Sequence, residues 1–416
     1  MPWPRQSATL LIEITAMNVC MLAYTFYESD FRVMRYAEAL LERGARVTVI
    51  CLRRPGAKKQ ASIRGIRLFR IQERIIGKEG KFSYLIRIFK FLLRSLVVIG
   101  RLHWKRPFDL VHVHSVPDFL VFAAVMPKLF GAKVILDIHD ILPEFYASKF
   151  SRGHRGPIYR LLILVERLSC KFADHVIVAN HLWAKKLISR SLHAEKLTIL
   201  MNYPDNSIFQ PQSSTKECKK FIMLYPGTVN WHQGLDIAVK AFAKIKDRAP
   251  HAEFHIIGNG THWQEIKALV ERLGLKERVF LEPGMPLRQV AERMAQADLG
   301  VIPKRNDSFG GEAFSTKTLE FMASGVPIVV SRTKIDLFYF DNTLVRFFEP
   351  ENDEDLAEVM LQMIGDEGLR ASLSAQGLKF VAENNWGTKK ADYYKLIERL
   401  LAKSKNRARG CICRWN

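Results

Sequence analysis

The sequence predicts an α/β protein of two doubly wound domains facing across a cleft. Three observations lead there. At 416 residues the chain is longer than one core usually serves. Strand and helix patterns alternate along most of it, as in open, mainly parallel sheets. The alternation halts at a polar segment, 206–220, which holds Pro211 and a Ser/Thr/Lys run, and then restarts. The expected divisions are a first domain over 1–205, a linker over 206–220, a second domain over 221–387, and a final helix with a basic tail over 388–416.

In chain order, Val19–Tyr24 reads as a strand, 32–43 as a helix stopped by Gly44, and Arg46–Leu52 as the next strand. Asp109–His114 and Lys133–Ile138 are strands with an apolar helix between them near 119–130, and His175–Ala179 and Leu197–Met201 complete the first domain. The second domain reads as strands at Phe221–Tyr225, Glu253–Ile257, Val279–Leu281, Leu299–Ile302 and Ile328–Ser331. Helices fall near 235–246, 263–273, 287–297 and 316–324. Ligands of such sheets sit beyond the carboxyl ends of the strands.

Hydrophobic residues make up 48% and charged residues 25%, ordinary for a folded globular protein, but the formal charge is +21. Residues 1–205 hold 33 Lys and Arg against 16 Asp and Glu, whereas 206–416 hold 30 against 26. The excess therefore marks a first-domain surface that meets something anionic, nucleic acid or lipid head groups. No base-stacking or groove-reading motif accompanies it, so nucleic acid is not expected. The segment 82–99, FSYLIRIFKFLLRSLVVI, is apolar nearly all round except for Arg87, Lys90 and Arg94 on one helical face, extended by Arg101 and Lys105. Two readings stay open: a peripheral membrane contact through 82–105, or a helix packed on the sheet with a solvated basic edge. Glu13 and Asn18 interrupt the apolar stretch 8–27, so neither a signal peptide nor a span is expected. The six cysteines show no zinc-site spacing, Cys411-x-Cys413 included, and fit a reducing compartment.

The sharpest motif runs from Phe309 to Pro327. Residues 303–311 read as a loop after a strand, Ser315 or Thr316 is placed to cap the following helix, Gly325 suits the left-handed position after its end, and Pro327 forbids continuation. Free amides at the helix start, with its dipole, make a phosphate seat. Gly310 and Gly311 let a ligand approach the backbone, and Lys317 adds a cation in the first turn. Glu312 and Glu320 bracket the seat, and a carboxylate accepts hydrogen bonds from paired hydroxyls, which suits a sugar ring. The alternative is a surface loop with two solvated acids.

Glu312 to Glu320, followed by Ala323-Ser324-Gly325-Val326-Pro327, resembles the donor-site signature of the family-4, group 1 glycosyltransferases. These have the GT-B fold of two Rossmann-like domains and use nucleotide sugars. The resemblance extends over roughly residues 18–400. It takes in Leu224–Asn230 with Gly234-Leu235-Asp236, His255–Gly260, Ala297–Pro303, Ala173–Ala179 and Asn202–Asp205. It implies that Glu312 is catalytic and contacts the donor sugar, that Glu320 holds the ribose hydroxyls, and that Gly311, Ala313, Phe314, Ser315, Thr316 and Lys317 hold the diphosphate. Gly227, Thr228, Asn230, Gly258 and Gly260 join the donor site, and the final helix leans back on the first domain. Many family members clamp the diphosphate with an Arg after the strand glycine and a Lys about five residues on. Thr228 and Gln233 stand there in this chain, with Lys304, Arg305 and Lys317 nearby as replacements. The loop Thr25–Arg32 also lacks the family's glycine pair and is expected to shape acceptor choice.

His139, in Leu136–Glu144, follows a buried strand where the resemblance places a catalytic residue touching the donor sugar. The other reading is a structural histidine beside a capping Asp140. His112 and His114 alternate on one strand and are expected to pack, and no metal site is expected. Trp231 and His232 either stack on a ligand or fill space. The implied reaction is transfer with retained anomeric configuration, without metal or cofactor, from a UDP-sugar, or a GDP-sugar, to a hydroxyl of a lipid-linked glycan acceptor in polysaccharide assembly. Its expected place is the cytoplasmic face of the cell membrane. The rival readings are an enzyme of this fold acting on a soluble acceptor, or a non-catalytic partner subunit, which the missing clamp favours.

Overall fold

The computed structural model describes residues 17–74, 81–149, 156–212 and 220–412. Residues 8–16 of the N-terminal apolar stretch, residues 213–219 of the expected linker, which include Cys218, and the Cys411-x-Cys413 pair's side chains lie outside the described residues. The chain forms two compact units. The first comprises 1–143, 155–200 and 390–416, and the second comprises 144–154 and 201–389, so the segment after Pro143 joins the second unit rather than the first, where the sequence pattern had set it.

The first unit carries an eight-stranded sheet of β1 (Asn18–Ala23), β2 (Arg46–Arg53), β3 (Gln60–Ile63), β4 (Ile66–Glu73), β5 (Leu110–His114), β6 (Lys133–Ile138), β7 (His175–Val178) and β8 (Leu197–Ile199). Its order is β3-β4-β2-β1-β5-β6-β7-β8, parallel except for β3. The β3–β4 hairpin is absent from the sequence reading. Its two-residue turn, Arg64-Gly65, takes positive φ at both positions, the geometry that matches strand twist. The apolar helix expected near 119–130 is instead a 3-10 segment, Asp118–Ala124, leading into the short helix Val125–Leu129. Pro127 has no amide to continue α-helical bonding, and the helix starts so that it falls in the first turn.

Helix Lys81–Lys105 is packed on the sheet along one face, as the second reading of its sequence has it, and leaves apolar residues exposed on another. Ile88, Phe91, Ser95, Ile99 and His103 form a buried stripe, while Leu85, Ile86, Phe89, Leu93 and Val97 stay exposed. No described helix is long and apolar enough to cross a membrane.

The first unit is organised around a buried charge. Arg32, in helix Phe31–Glu42, donates Nε and Nη2 to the two oxygens of Asp137 at 2.7 and 2.6 Å, with Arg32 6% and Asp137 0% exposed. Nη2 also donates to the Leu200 carbonyl at 2.9 Å. His114 Nδ1 lies 3.0 Å from Asp137 Oδ2, and His112 stacks on His114 with centroids 4.2 Å apart. His112 Nδ1 is in turn 2.8 Å from the hydroxyl of Tyr393, on helix Trp386–Ile412. Burial alone would raise the Asp137 pKa, but Arg32 and His114 hold it well below the usual carboxylate range. Burial and the neighbouring His114 lower that of His112. Asp137 is the third potential ligand that sequence spacing did not bring near the histidines. The guanidinium forked onto it already supplies the positive charge a metal would bring.

The second unit carries a fully parallel sheet of β9 (Phe221–Pro226), β10 (Ala252–Ile257), β11 (Val279–Glu282), β12 (Leu299–Ile302), β13 (Ile328–Ser331) and β14 (Arg346–Phe348). Its order is β11-β10-β9-β12-β13-β14. Strand order reverses between β9 and β12, and beyond their carboxyl ends lies the crevice where such sheets bind ligands. Phe242, Phe254, Met360 and Leu356 fill the core between the sheet and its helices.

Asp137→Ala strands the Arg32 guanidinium in the core and is expected to cost about 3–5 kcal/mol in urea unfolding at pH 7. Because the folded Asp137 pKa is depressed, its contribution is complete above the unfolded value of about 4 and is lost as pH falls toward the folded value. The difference between wild type and variant should therefore shrink on acidification below about pH 4.

Candidate active site

Three loops meet at the switch point of the second sheet. Gly227 follows β9, Gly258 follows β10, and Pro303 follows β12. A Cβ on Gly258 would lie 1.7 Å from the Gly227 carbonyl oxygen, and one on Gly260 would lie 2.1 Å from that of Val229. Gly234, with φ of 63°, approaches the Pro303 carbonyl as closely, at 1.9 Å. These glycines let backbone rest on backbone. Asn230 Oδ1 accepts from the Thr261 amide and hydroxyl at 3.1 and 3.2 Å, pinning the first two loops together.

Helix Thr316–Ala323 begins beside these loops. Ser315 is its cap by backbone conformation, but its buried hydroxyl makes no hydrogen bond among the described residues, and no side chain caps the helix as expected from sequence. The first-turn amides are left to face the crevice without a side-chain cap. Gly325 does take the left-handed conformation after the helix, with φ of 72°. Gly310 and Gly311 have a different role from the one expected. A Cβ on Gly311 would meet Asn306 Oδ1 at 2.4 Å, and one on Gly310 would meet the Arg305 carbonyl at 2.8 Å, so both serve the turn itself.

Lys317 is the cation of this site. A Cβ on Gly227 would lie 2.2 Å from Lys317 Cε, so the side chain lies directly over the glycine loop, with Nζ 5.3 Å from the Tyr225 ring centroid. Burial lowers its pKa, Glu320 opposes this, and Lys304 adds to it. Lys304 and Arg305, expected as replacement clamps, are held elsewhere. Lys304 Nζ pairs with Asp336 at 3.0 Å and donates to the Ala313 carbonyl at 2.8 Å. Arg305 Nη2 donates to both oxygens of Asp236 at 2.7 and 2.8 Å, and its guanidinium covers the Trp231 ring. Of the three basic residues, the structure sets only Lys317 over the strand glycine.

Glu312 is buried, with Oε1 3.0 Å from Lys334 Nζ, while Glu320 is half-buried one helical turn beyond Lys317. Thr228 is exposed, and the Tyr225 hydroxyl lies 2.8 Å from its carbonyl and 3.0 Å from Gln233 Oε1. Both positions of the absent clamp are thus tied to one buried tyrosine. Phe314 packs edge-on against Tyr339, and Thr316 is half-buried. His139 lies in the first unit, just past the end of β6, half-buried, with a buried Nδ1 that makes no hydrogen bond among the described residues.

The sequence reading missed Asp307. Its carboxylate bonds His232 Nδ1 at 2.7 Å and the amides of Phe309 and Gly310 at 2.8 and 2.9 Å. Burial alone would raise its pKa, and these partners lower it. His232 and Asn230 also line a recess of about 430 Å³. The signal was the Asn306-Asp307 pair beside the glycines, a turn-forming combination, but nothing in the sequence linked it to His232.

Solved structures share this architecture. Sucrose-phosphate synthase from Thermosynechococcus elongatus superposes with a TM-score of 0.79 at 18% identity, covering 93% of this chain and all of that one. HepE of Anabaena, solved in complex with UDP and glucose, superposes at 0.70 with 15% identity, covering 92% and 99%. The fold is that of the GT-B glycosyltransferases. Residues 206–380 match the description "Glycosyl transferases group 1" and 30–202 match "Glycosyl transferase 4-like domain". The chain belongs to the group 1, family-4 glycosyltransferases, and it is a glycosyltransferase. Among curated relatives, the phosphatidylinositol N-acetylglucosaminyltransferase gpi3 subunit of Schizosaccharomyces pombe is 21% identical over 344 residues, 81% of this chain and 70% of its own length.

Gly258→Ala should lower the stability of the second unit by about 1–3 kcal/mol and weaken nucleotide binding, because the Gly227 carbonyl must move. Gly365→Ala, a glycine with open space around its Cβ position, is the control and should be neutral or slightly stabilising in the same thermal melts.

Proposed function

We propose that the protein transfers a sugar from a UDP-sugar to a hydroxyl of a lipid-linked glycan acceptor, with retention at the anomeric carbon and without a metal. The observation that carries the donor half of this reading is the seat at the β9–β12 switch point. Uncapped helix amides, the Lys317 ammonium and the glycine loop converge there, bracketed by Glu312 and Glu320. A diphosphate leaves as an anion, and such a seat stabilises the charge that develops as the bond from the anomeric carbon to phosphate oxygen breaks. The new bond forms to the acceptor oxygen on the same face of the sugar, and the acceptor proton goes to the departing phosphate. Glu320 is assigned to the ribose hydroxyls, Glu312 and His139 to the donor sugar. HepE, a neighbour in fold, was solved with UDP, which supports UDP over GDP.

The lipid-linked acceptor rests on the first unit. Its charge excess and the exposed apolar side of helix Lys81–Lys105 support a peripheral contact with an anionic membrane, at the cytoplasmic face. The fission-yeast relative is named for phosphatidylinositol, a phospholipid, which supports a lipid acceptor. Assembly of a polysaccharide or other glycoconjugate is the proposed setting.

Calorimetric titration with UDP and with GDP tests the donor assignment. UDP is expected to bind in the micromolar range, with at least tenfold loss in Glu320→Ala and in Lys317→Ala. Failure of both nucleotides to bind a folded sample would sink the transfer mechanism and favour a partner-subunit role. His139→Ala should lower kcat while leaving the UDP Kd unchanged; an equal loss in both would remove the sugar-contact role.

A further inference from the structure

A second site lies in the first unit, far in sequence from the donor residues. The β3–β4 hairpin and helix Lys81–Lys105 enclose a groove of about 1080 Å³. Seven Lys and Arg line it against one carboxylate, Glu73. Arg53 pairs with Glu73 at 2.7 Å and Arg70 pairs with Glu28. The lining stays strongly positive, because Lys90, Arg94 and Arg101 follow one another along the helix at spacings of four and seven. Among the described residues, Arg94 Nη1 reaches neutral acceptors, the Ile71 carbonyl and Gln72 Oε1, at 3.4 and 3.5 Å. Like charges gathered this way repel one another, and an anion relieves that repulsion.

The groove does not end in solvent on all sides. Lys90 and Leu93 also line an adjoining apolar recess of about 380 Å³, formed with Leu85, Ile86 and Phe89. One helix therefore presents a cationic groove on one face and a bare apolar surface on the next, sharing two residues. This matches a ligand with phosphate at one end and a long hydrocarbon at the other.

We propose that this groove binds the phosphate or diphosphate head of a lipid amphiphile, whose chain lies along Leu85, Ile86 and Phe89. The assignment deepens the lipid-acceptor reading and rests on it. It places the acceptor's anionic group between the hairpin and the helix, with Lys90, Arg94 and Arg101 as its cations.

Farnesyl diphosphate and inorganic pyrophosphate serve as probes, titrated into the full chain saturated with UDP so that the donor seat is filled. Lys90→Glu combined with Arg101→Glu is expected to weaken both probes at least tenfold. Leu85→Ser combined with Phe89→Ser, two exposed positions, is expected to weaken farnesyl diphosphate at least tenfold and leave pyrophosphate unchanged. Equal farnesyl diphosphate affinity in the wild type and the charge-reversed variant overturns the site. Pyrophosphate binding as tight as that of farnesyl diphosphate overturns the amphiphile and points to a soluble phosphate ligand. Equal competition by phosphatidylglycerol vesicles, with none by phosphatidylcholine vesicles, overturns the acceptor-head assignment in favour of bulk anionic lipid. UDP titration of each variant separates the two levels: lost UDP binding in the wild type removes the transferase mechanism, while lost groove binding with UDP intact removes only this site.

Discussion

The donor half of the molecule depends on backbone touching backbone at one point. Gly258 presses on the carbonyl of Gly227, and Gly260 on that of Val229, at distances that no side chain permits. This contact fixes the loops after β9 and β10 against each other. Gly227 then offers a bare surface on which Lys317 lies. The cation rests where there is no bulk beneath it; among the described residues no carboxylate is in ion-pair contact with it, and Glu320 acts on it from one helical turn away. That is a favourable design for an anion site, because a lysine already paired with an acid would have to exchange that partner for the ligand. Lys304 and Arg305 illustrate the opposite case. Their ion pairs with Asp336 and Asp236 brace the loop between β12 and helix Thr316–Ala323, which keeps the helix start in place.

The absent clamp is explained within the same frame. A tyrosine at the end of β9 places its hydroxyl between the Thr228 carbonyl and Gln233 Oε1. An Arg at position 228 and a Lys at 233 would project charge from this loop, whereas in this chain the loop is closed on itself by neutral hydrogen bonds. The positive charge comes instead from the opposite wall, through Lys317. The helix dipole acts in the same direction, so an anion still meets a favourable field.

How much of this could be read from the chain follows from the range of the interactions involved. Five of the six strands of the second sheet were visible because parallel, buried strands are short apolar runs between Gly, Pro and polar turns; β14, three residues long and opened by Arg346, was not. Lys317 and Glu320 were visible because one helix turn sets their spacing, and Glu312 because it sits in the short loop just before that helix. The β3–β4 hairpin was not visible, since the buried face of β4 carries Arg70 and Gln72 beside Ile66 and Leu68, which breaks the apolar alternation, and its turn begins with an arginine rather than asparagine or aspartate. The partners of Lys304 and Arg305 were also hidden, because a sequence displays a charge but not the carboxylate that folding brings to it. Asp236 lies 69 residues from Arg305. The same holds for Arg32 and Asp137, 105 residues apart, whose pairing gathers the first helix, two strands and the last helix around one buried charge.

The two units divide their surfaces as unequally as their charges. Sixteen of the nineteen exposed large apolar side chains among the described residues belong to the first unit. Leu85, Phe89 and Leu93 on one helix, and Leu161, Leu164 and Leu168 on helix Pro157–Phe172, are among them. Both helices pack on the segment Asp118–Ala124, so their exposed stripes arise on neighbouring elements rather than as scattered residues. Apolar area of this extent is unfavourable in water, and a monomer rarely keeps it without a surface to cover it. Excess positive charge on the same unit would oppose self-association but favour an anionic bilayer. On the membrane reading proposed above, charge and apolar area point the same way. In the second unit, exposed apolar residues are few and charge is near balance, as suits a domain whose ligand is a soluble nucleotide.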